Sequence, residues 1–134
     1  MASEVPNNVG FGRSDIQSFV IPSGGTGVNQ PRVDLGRPYA FVIIMCANMT
    51  GVASGNMFLN VSPEEGIPLH RVYEQNSATA WNTGTLPTSG TFYMLCTHAF
   101  GARFVQPVLS VASDAELTFK ILGYDPTVVN QKDL

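Results

Sequence analysis

Along residues 116–121 polar and apolar side chains take turns. Leu117, Phe119 and Ile121 fall on one face of an extended chain, and Glu116, Thr118 and Lys120 fall on the other. A period of two predicts a strand with one buried and one wet face. The stretch before it breaks that pattern. Arg103, Val105, Pro107, Leu109 and Val111 share one side of 102–111, while Ala102, Phe104, Gln106, Val108 and Ser110 share the other, so neither is a solvent face. Pro107 has no N–H to give to a ladder, which places it at an edge or a bulge, and an edge strand that is apolar on both sides needs a cover. A second sheet of the same domain would make the segment ordinary core; a neighbouring subunit would make it an interface.

Comparable runs predict strands over 15–21, 32–35, 39–47, 56–61, 68–74, 91–98, 102–111 and 116–124, with helix limited to one short turn at most. The run Tyr39–Ala47 (YAFVIIMCA) is apolar throughout and reads as a buried strand. Turn-forming clusters punctuate the chain: SGGTG at 23–27, LGRP at 35–38, TGVASGN at 50–56, SPEEG at 62–66 and the long uncharged loop 75–90. About eight short strands, some alternating and some apolar on both faces, predict an all-β fold, a jelly-roll-like antiparallel β-sandwich. An immunoglobulin-type sandwich fits less well, because the one Trp lies in the polar loop and not on a strand between the two Cys. At 134 residues the chain reads as a single domain, 1–134, with an extended N-terminal arm over about 1–14 and a C-terminal tail over about 126–134.

Charge changes the picture. Only 13% of residues are charged, against roughly 25% in ordinary soluble domains, while the hydrophobic share of 44% is usual. The deficit is in the solvated surface, and a surface of that kind suits contact with other protein. A net charge of −3 with Arg13, Arg32, Arg37, Arg71 and Arg103 spread singly offers no footprint for nucleic acid. No apolar run approaches the ~20 residues of a membrane-spanning helix, and the opening MASEVPNNVG lacks the basic and apolar regions of a secretory signal. No membrane partner and synthesis in a cytosol are therefore expected. In that setting Cys46 and Cys96 read as two small buried hydrophobes, with a disulfide as the alternative.

Candidate chemistry is sparse. SGGTG lacks the Lys-Ser/Thr and the helix start of a phosphate loop. His70, His98 and Cys96 are too few and too scattered to hold zinc. Glu64 and Glu65, with Asp114 or Asp125, would have to converge to bind calcium or act as a glycosidase pair; a solvated acidic turn is the simpler reading. No serine elbow and no activated cysteine is present. No enzyme activity, cofactor or metal is expected. Trp81 stands in the uncharged loop 75–90, where three readings compete: a pin holding the loop to its own core, an anchor buried against another subunit, or, with Tyr73, a platform for a sugar.

Residues 88–125, TSGTFYMLCTHAFGARFVQPVLSVASDAELTFKILGYD, resemble the C-terminal part of small virion structural proteins of tailed bacteriophages, in which a turn, a strand, an aromatic-Gly-Ala-Arg start and a final alternating strand recur. The resemblance implies a capsid cement or decoration protein, made in the host cytoplasm and carried on the virion. Such a protein binds the major capsid protein or other virion proteins and assembles with itself, as a trimer; a tail or fibre-base component is implied equally. The expected contact residues are Arg103, Val105, Pro107 and Leu109, with Trp81 beside them. If Val105 and Leu109 are covered by another chain, Asp at either position leaves the monomer folded. A carbohydrate-binding sandwich built on Trp81 and Tyr73 is the alternative from another class.

Overall fold

A computed structural model describes residues 12–51, 55–75, 77–99 and 101–126. Among the described residues eight strands form where alternation and apolar runs predict them: β1 Gln17–Ile21, β2 Val33–Tyr39, β3 Phe41–Met49, β4 Met57–Ser62, β5 His70–Arg71, β6 Gly90–Cys96, β7 Ala102–Leu109 and β8 Leu117–Tyr124. No helix occurs among the described residues. The strands pair as a nested series, β1 with β8, β2 with β7, β3 with β6 and β4 with β5, as in one long hairpin wound up on itself. Further β3–β8 and β4–β7 pairing knits the series into two antiparallel four-stranded sheets, β1-β8-β3-β6 and β2-β7-β4-β5. This is a jelly-roll β-sandwich.

The core lies between the sheets, where inward residues of alternating strands meet: Phe19 and Ile21 from β1, Val42, Ile44 and Cys46 from β3, Leu117, Phe119 and Ile121 from β8, facing Met57, Leu59, Val105 and Leu109. Phe92 meets Phe119 edge to face, ring centroids 6.5 Å apart. Two glycines are required by close approach. Gly27 has φ 96°, and a Cβ there would lie 2.7 Å from the Pro107 carbonyl oxygen, while a Cβ on Gly123 would run into the Tyr39 ring.

The segment 102–111 is not an edge strand. β7 lies between β2 and β4, and Val105, Pro107 and Leu109 point into the sandwich with Val105 fully buried. The proline is tolerated because β2 pairs with β7 no further along than Val33↔Val105. Beyond it the loop 22–31 takes over as neighbour, and Leu109 N–H reaches the Thr26 carbonyl at 2.8 Å. N–H groups two residues apart point the same way, so the donor missing at Pro107 falls beside that loop and not in a strand ladder. Arg103 also departs from its expected face. The β2–β7 register shifts between Asp34 and Tyr39, Ala102 enters the core, and Arg103 turns outward to the Asp34 carboxylate.

LGRP, which reads as a turn, is instead carried within β2, with φ 96° at Gly36 and its amide bonded to the Asp34 carboxylate at 2.8 Å. The arm and tail expected over 1–14 and 126–134 fall mostly outside the described residues. Residues 12–14 run beside the end of β8, through Asp125 N–H to Gly12 O and Ser14 N–H to Gly123 O, both 2.9 Å or less.

The expectation that Asp at Val105 or Leu109 leaves the monomer folded is therefore corrected: their cover is their own second sheet. Val105→Asp would strand a carboxylate in the core at a cost above about 4 kcal/mol, and near-UV circular dichroism should show no native packing. Val20→Asp, on the outer side of β1, should keep the native spectrum.

Candidate functional site

The two sheets treat their outer faces in opposite ways. On β2-β7-β4-β5 the outward residues of β7 are Phe104, Gln106 and Val108, all buried although the described residues form only two layers. Arginines cover them. The Arg32 guanidinium lies 4.0 Å from the Phe104 ring centroid and that of Arg103 lies 4.8 Å from it, while Arg71 stacks over Phe58 at 4.3 Å. Arg103 grips Asp34 with both arms, Nε to Oδ1 at 2.9 Å and a terminal nitrogen to Oδ2 at 3.0 Å. Arg32 reaches Glu65 at 3.7 Å. The Gln106 amide donates to the carbonyls of Val28 and Gln30 at 3.1 and 2.9 Å and accepts from Asn60, which in turn accepts from Arg71. Four of the five arginines thus stack on the chain's own aromatics, counting Arg37 over Tyr39 at 3.9 Å. This face is sealed by its own side chains.

Among the described residues, the outer face of β1-β8-β3-β6 has no arginine cover of that kind. Ile43 of β3 stands between Leu122 on β8 and Leu95 on β6. An apolar row thus crosses β8, β3 and β6, and Ile16 stands just ahead of β1 at the side of the same sheet. The next row runs Ser18, Lys120, Met45 and Tyr93, where the Lys120 ammonium donates to the Ser18 hydroxyl at 2.7 Å. Ile16 is 50% exposed, Tyr93 64% and Leu95 40%, and Ile43 and Met45 are half-buried in the middle of the sheet. Beside these bulky rows the surface steps down into a shallow depression of about 270 Å³, lined by Ala47, Asn48, Glu116, Thr118 and Lys120. Exposed apolar side chains therefore stand at the two sides of this face, Ile16 and Val20 at one and Tyr93 and Leu95 at the other, with the half-buried Ile43 and Met45, the buried Leu122 and the charged Lys120 between them.

The sequence-derived site residues are thus not brought together as a surface. Val105, Pro107 and Leu109 belong to the core, and Arg103 belongs to the sealed face. Trp81 is only 7% exposed and donates its backbone N–H to the Val72 carbonyl at 2.9 Å, which makes it the pin of its loop and leaves no free ring face for a sugar; Tyr73 is exposed. The signal that finds the open face is the unbroken apolar run 39–47. Its inward half, Val42, Ile44 and Cys46, is core, and its outward half, Phe41, Ile43 and Met45, is not.

Other candidate chemistry disperses. Cys46 and Cys96 are buried free thiols on neighbouring strands, but Cys96 opposes Val42 and Cys46 opposes Phe92, too far apart along the ladder for a disulfide. Burial pushes the Cys96 thiol up to about 11. The Asp125 carboxylate is taken by Arg37 at 2.9 Å and the Ala40 amide at 2.7 Å. Among the described residues no three of His, Cys, Asp and Glu gather where they would hold a metal ion. No protein-family model, no curated protein and no solved structure matches the chain.

The Arg103 hydrogen bonds, followed by the Gly36 amide, hold the Asp34 carboxyl below its ordinary 3.8. A carboxyl depressed in the folded state stabilises above its unfolded value and loses that contribution as pH falls through the folded value. Asp34→Asn should therefore melt modestly below the wild type at pH 7, by an amount kept small because the pair is partly exposed. The two melting curves should converge below about pH 4. A difference that persists into acid would place the effect elsewhere.

Proposed function

We propose that this chain is a non-enzymatic virion structural protein of the cement or decoration kind. In this reading it attaches to a phage particle, most directly to the major capsid protein, through the outer face of the β1-β8-β3-β6 sheet, and strengthens the shell as an oligomer. The observation that carries the reading is the contrast between the two outer faces. A chain with few charges places three of its five arginines over one outer face and leaves Ile16, Val20, Tyr93 and Leu95 exposed on the other. Transferring such a face from water to a partner yields about 25 cal/mol per Å² of apolar area. A standard interface of ~1,600 Å² then offsets the loss of translational and rotational freedom if it is well packed. The resemblance of residues 88–125 to phage virion proteins supports the choice of partner. A tail or fibre-base component would use the same face, and the particle fraction that holds the chain separates the two.

The test is mass spectrometry of purified particles of the virus that encodes the chain. The chain should be found in heads at a fixed stoichiometry, and a folded Ile16→Asp/Val20→Asp variant should fall at least tenfold in occupancy. Particles that lack the wild-type chain, or that carry the variant at full occupancy, would overturn the reading.

A further inference from the structure

Among the described residues β6 ends its sheet, with β3 as its one strand partner. An end strand offers the N–H and C=O groups of alternate residues to any chain that comes alongside, and proteins usually guard such edges with charge, proline, bulges or brevity. Two of the other end strands are guarded in these ways. β5 is two residues long; β2 carries Asp34, Gly36, Arg37 and Pro38 and a register shift. β1 carries neither charge nor proline, but residues Pro31–Asp34 of the same chain flank it across a shallow depression of about 310 Å³. β6, GTFYMLC, has seven residues with no charge and no proline. Its ladder to β3 runs without a shift from Val42↔Cys96 to Cys46↔Phe92, and the one shift, before Met49↔Gly90, puts the extra residue on β3 and not on β6. Its outward side chains Thr91, Tyr93 and Leu95 are all exposed.

We infer that β6 pairs antiparallel with β6 of a second copy of this chain, joining two sandwiches through one continuous eight-stranded sheet. The edge is its own complement. A two-fold axis at the middle of the strand sets Tyr93 against its own copy and Thr91 against Leu95 of the other chain, cross-strand pairs that pack well. No like charges meet, because the nearest charged side chain on the face in register with β6, Lys120, lies two strands away on β8, roughly 10 Å off. A seven-residue strand is about 24 Å long, and pairing along it would satisfy the open backbone groups while merging two apolar faces into one. The contact area thus draws on the edge and on the flanking side chains of the face together. The pairing needs only the isolated chain and does not depend on the virion reading.

The experiment is the solution mass of the isolated full chain by sedimentation equilibrium at about 100 μM, with hydrogen exchange on the same samples. The wild type should show twice 14.4 kDa, with slowed exchange in β6. Thr91→Lys/Leu95→Lys, which adds the charge that guarded edges carry, should give a single-chain mass with an unchanged circular dichroism spectrum. Ile16→Asp/Val20→Asp, at the far side of the same face, should stay dimeric. A wild-type mass of one chain overturns the inference, and so does a mass of three chains. A Lys variant that remains dimeric, or an Ile16→Asp/Val20→Asp variant that disperses, overturns it too. None of these outcomes bears on particle attachment, which is measured separately.

Discussion

Phe104 and the guanidinium groups of Arg32 and Arg103 solve a problem that the topology creates. Winding the chain into nested pairs puts β7 in the middle of its sheet, with Val105, Pro107 and Leu109 in the core and Phe104, Gln106 and Val108 on the outside. A single sandwich has no third layer to lay over them. Arginine suits the task because its flat group stacks on a ring while its edge still hydrogen-bonds, as the two-armed grip on Asp34 shows. Lysine would bring the charge without the plane. The buried Gln106 amide finishes the cover by satisfying the loop carbonyls of Val28 and Gln30.

Once that side is closed, the asymmetry of the molecule follows. β3 is as apolar as β7 on both faces, yet its outward residues Ile43 and Met45 sit among Leu122, Leu95 and Tyr93, with one lysine held by Ser18. Among the described residues no arginine lies over them as Arg32 and Arg103 lie over Phe104. The proposed attachment to a virion and the inferred pairing of β6 use adjacent parts of this one surface. The first uses its face and the second its rim. A dimer joined at the rim would present a single broad apolar sheet, a larger target than either chain alone.

Much of the architecture was legible in the linear pattern. Period-two alternation in 116–124, the continuous run 39–47 and the regular turn clusters locate all eight strands, and their number and mixture point to the jelly roll. The site was legible only in part, because apolarity on both faces looks the same in 39–47 and in 102–111. What separates them is cross-strand register, which brings arginines over one and leucines beside the other, and register is not written in either segment alone. Alternation puts Arg103 on the wrong face because it cannot anticipate the shift opposite Asp34–Tyr39. Pro107 suggested an edge, and the physical reason survives in altered form: β2 stops short of it. Trp81 illustrates the opposite limit, since a polar loop hides its burial until the loop folds back onto Val72.

The central claim is that the outer face of β1-β8-β3-β6 is where this chain meets its partner. Hydroxyl-radical footprinting of the free chain and of the chain on the particle tests it most directly. Tyr93, Met45 and Leu95 should be labelled in the free chain and protected on the particle, while the exposed Tyr73 keeps its labelling in both. Protection of Tyr73 with Tyr93 still labelled would place the contact on another surface and contradict the account.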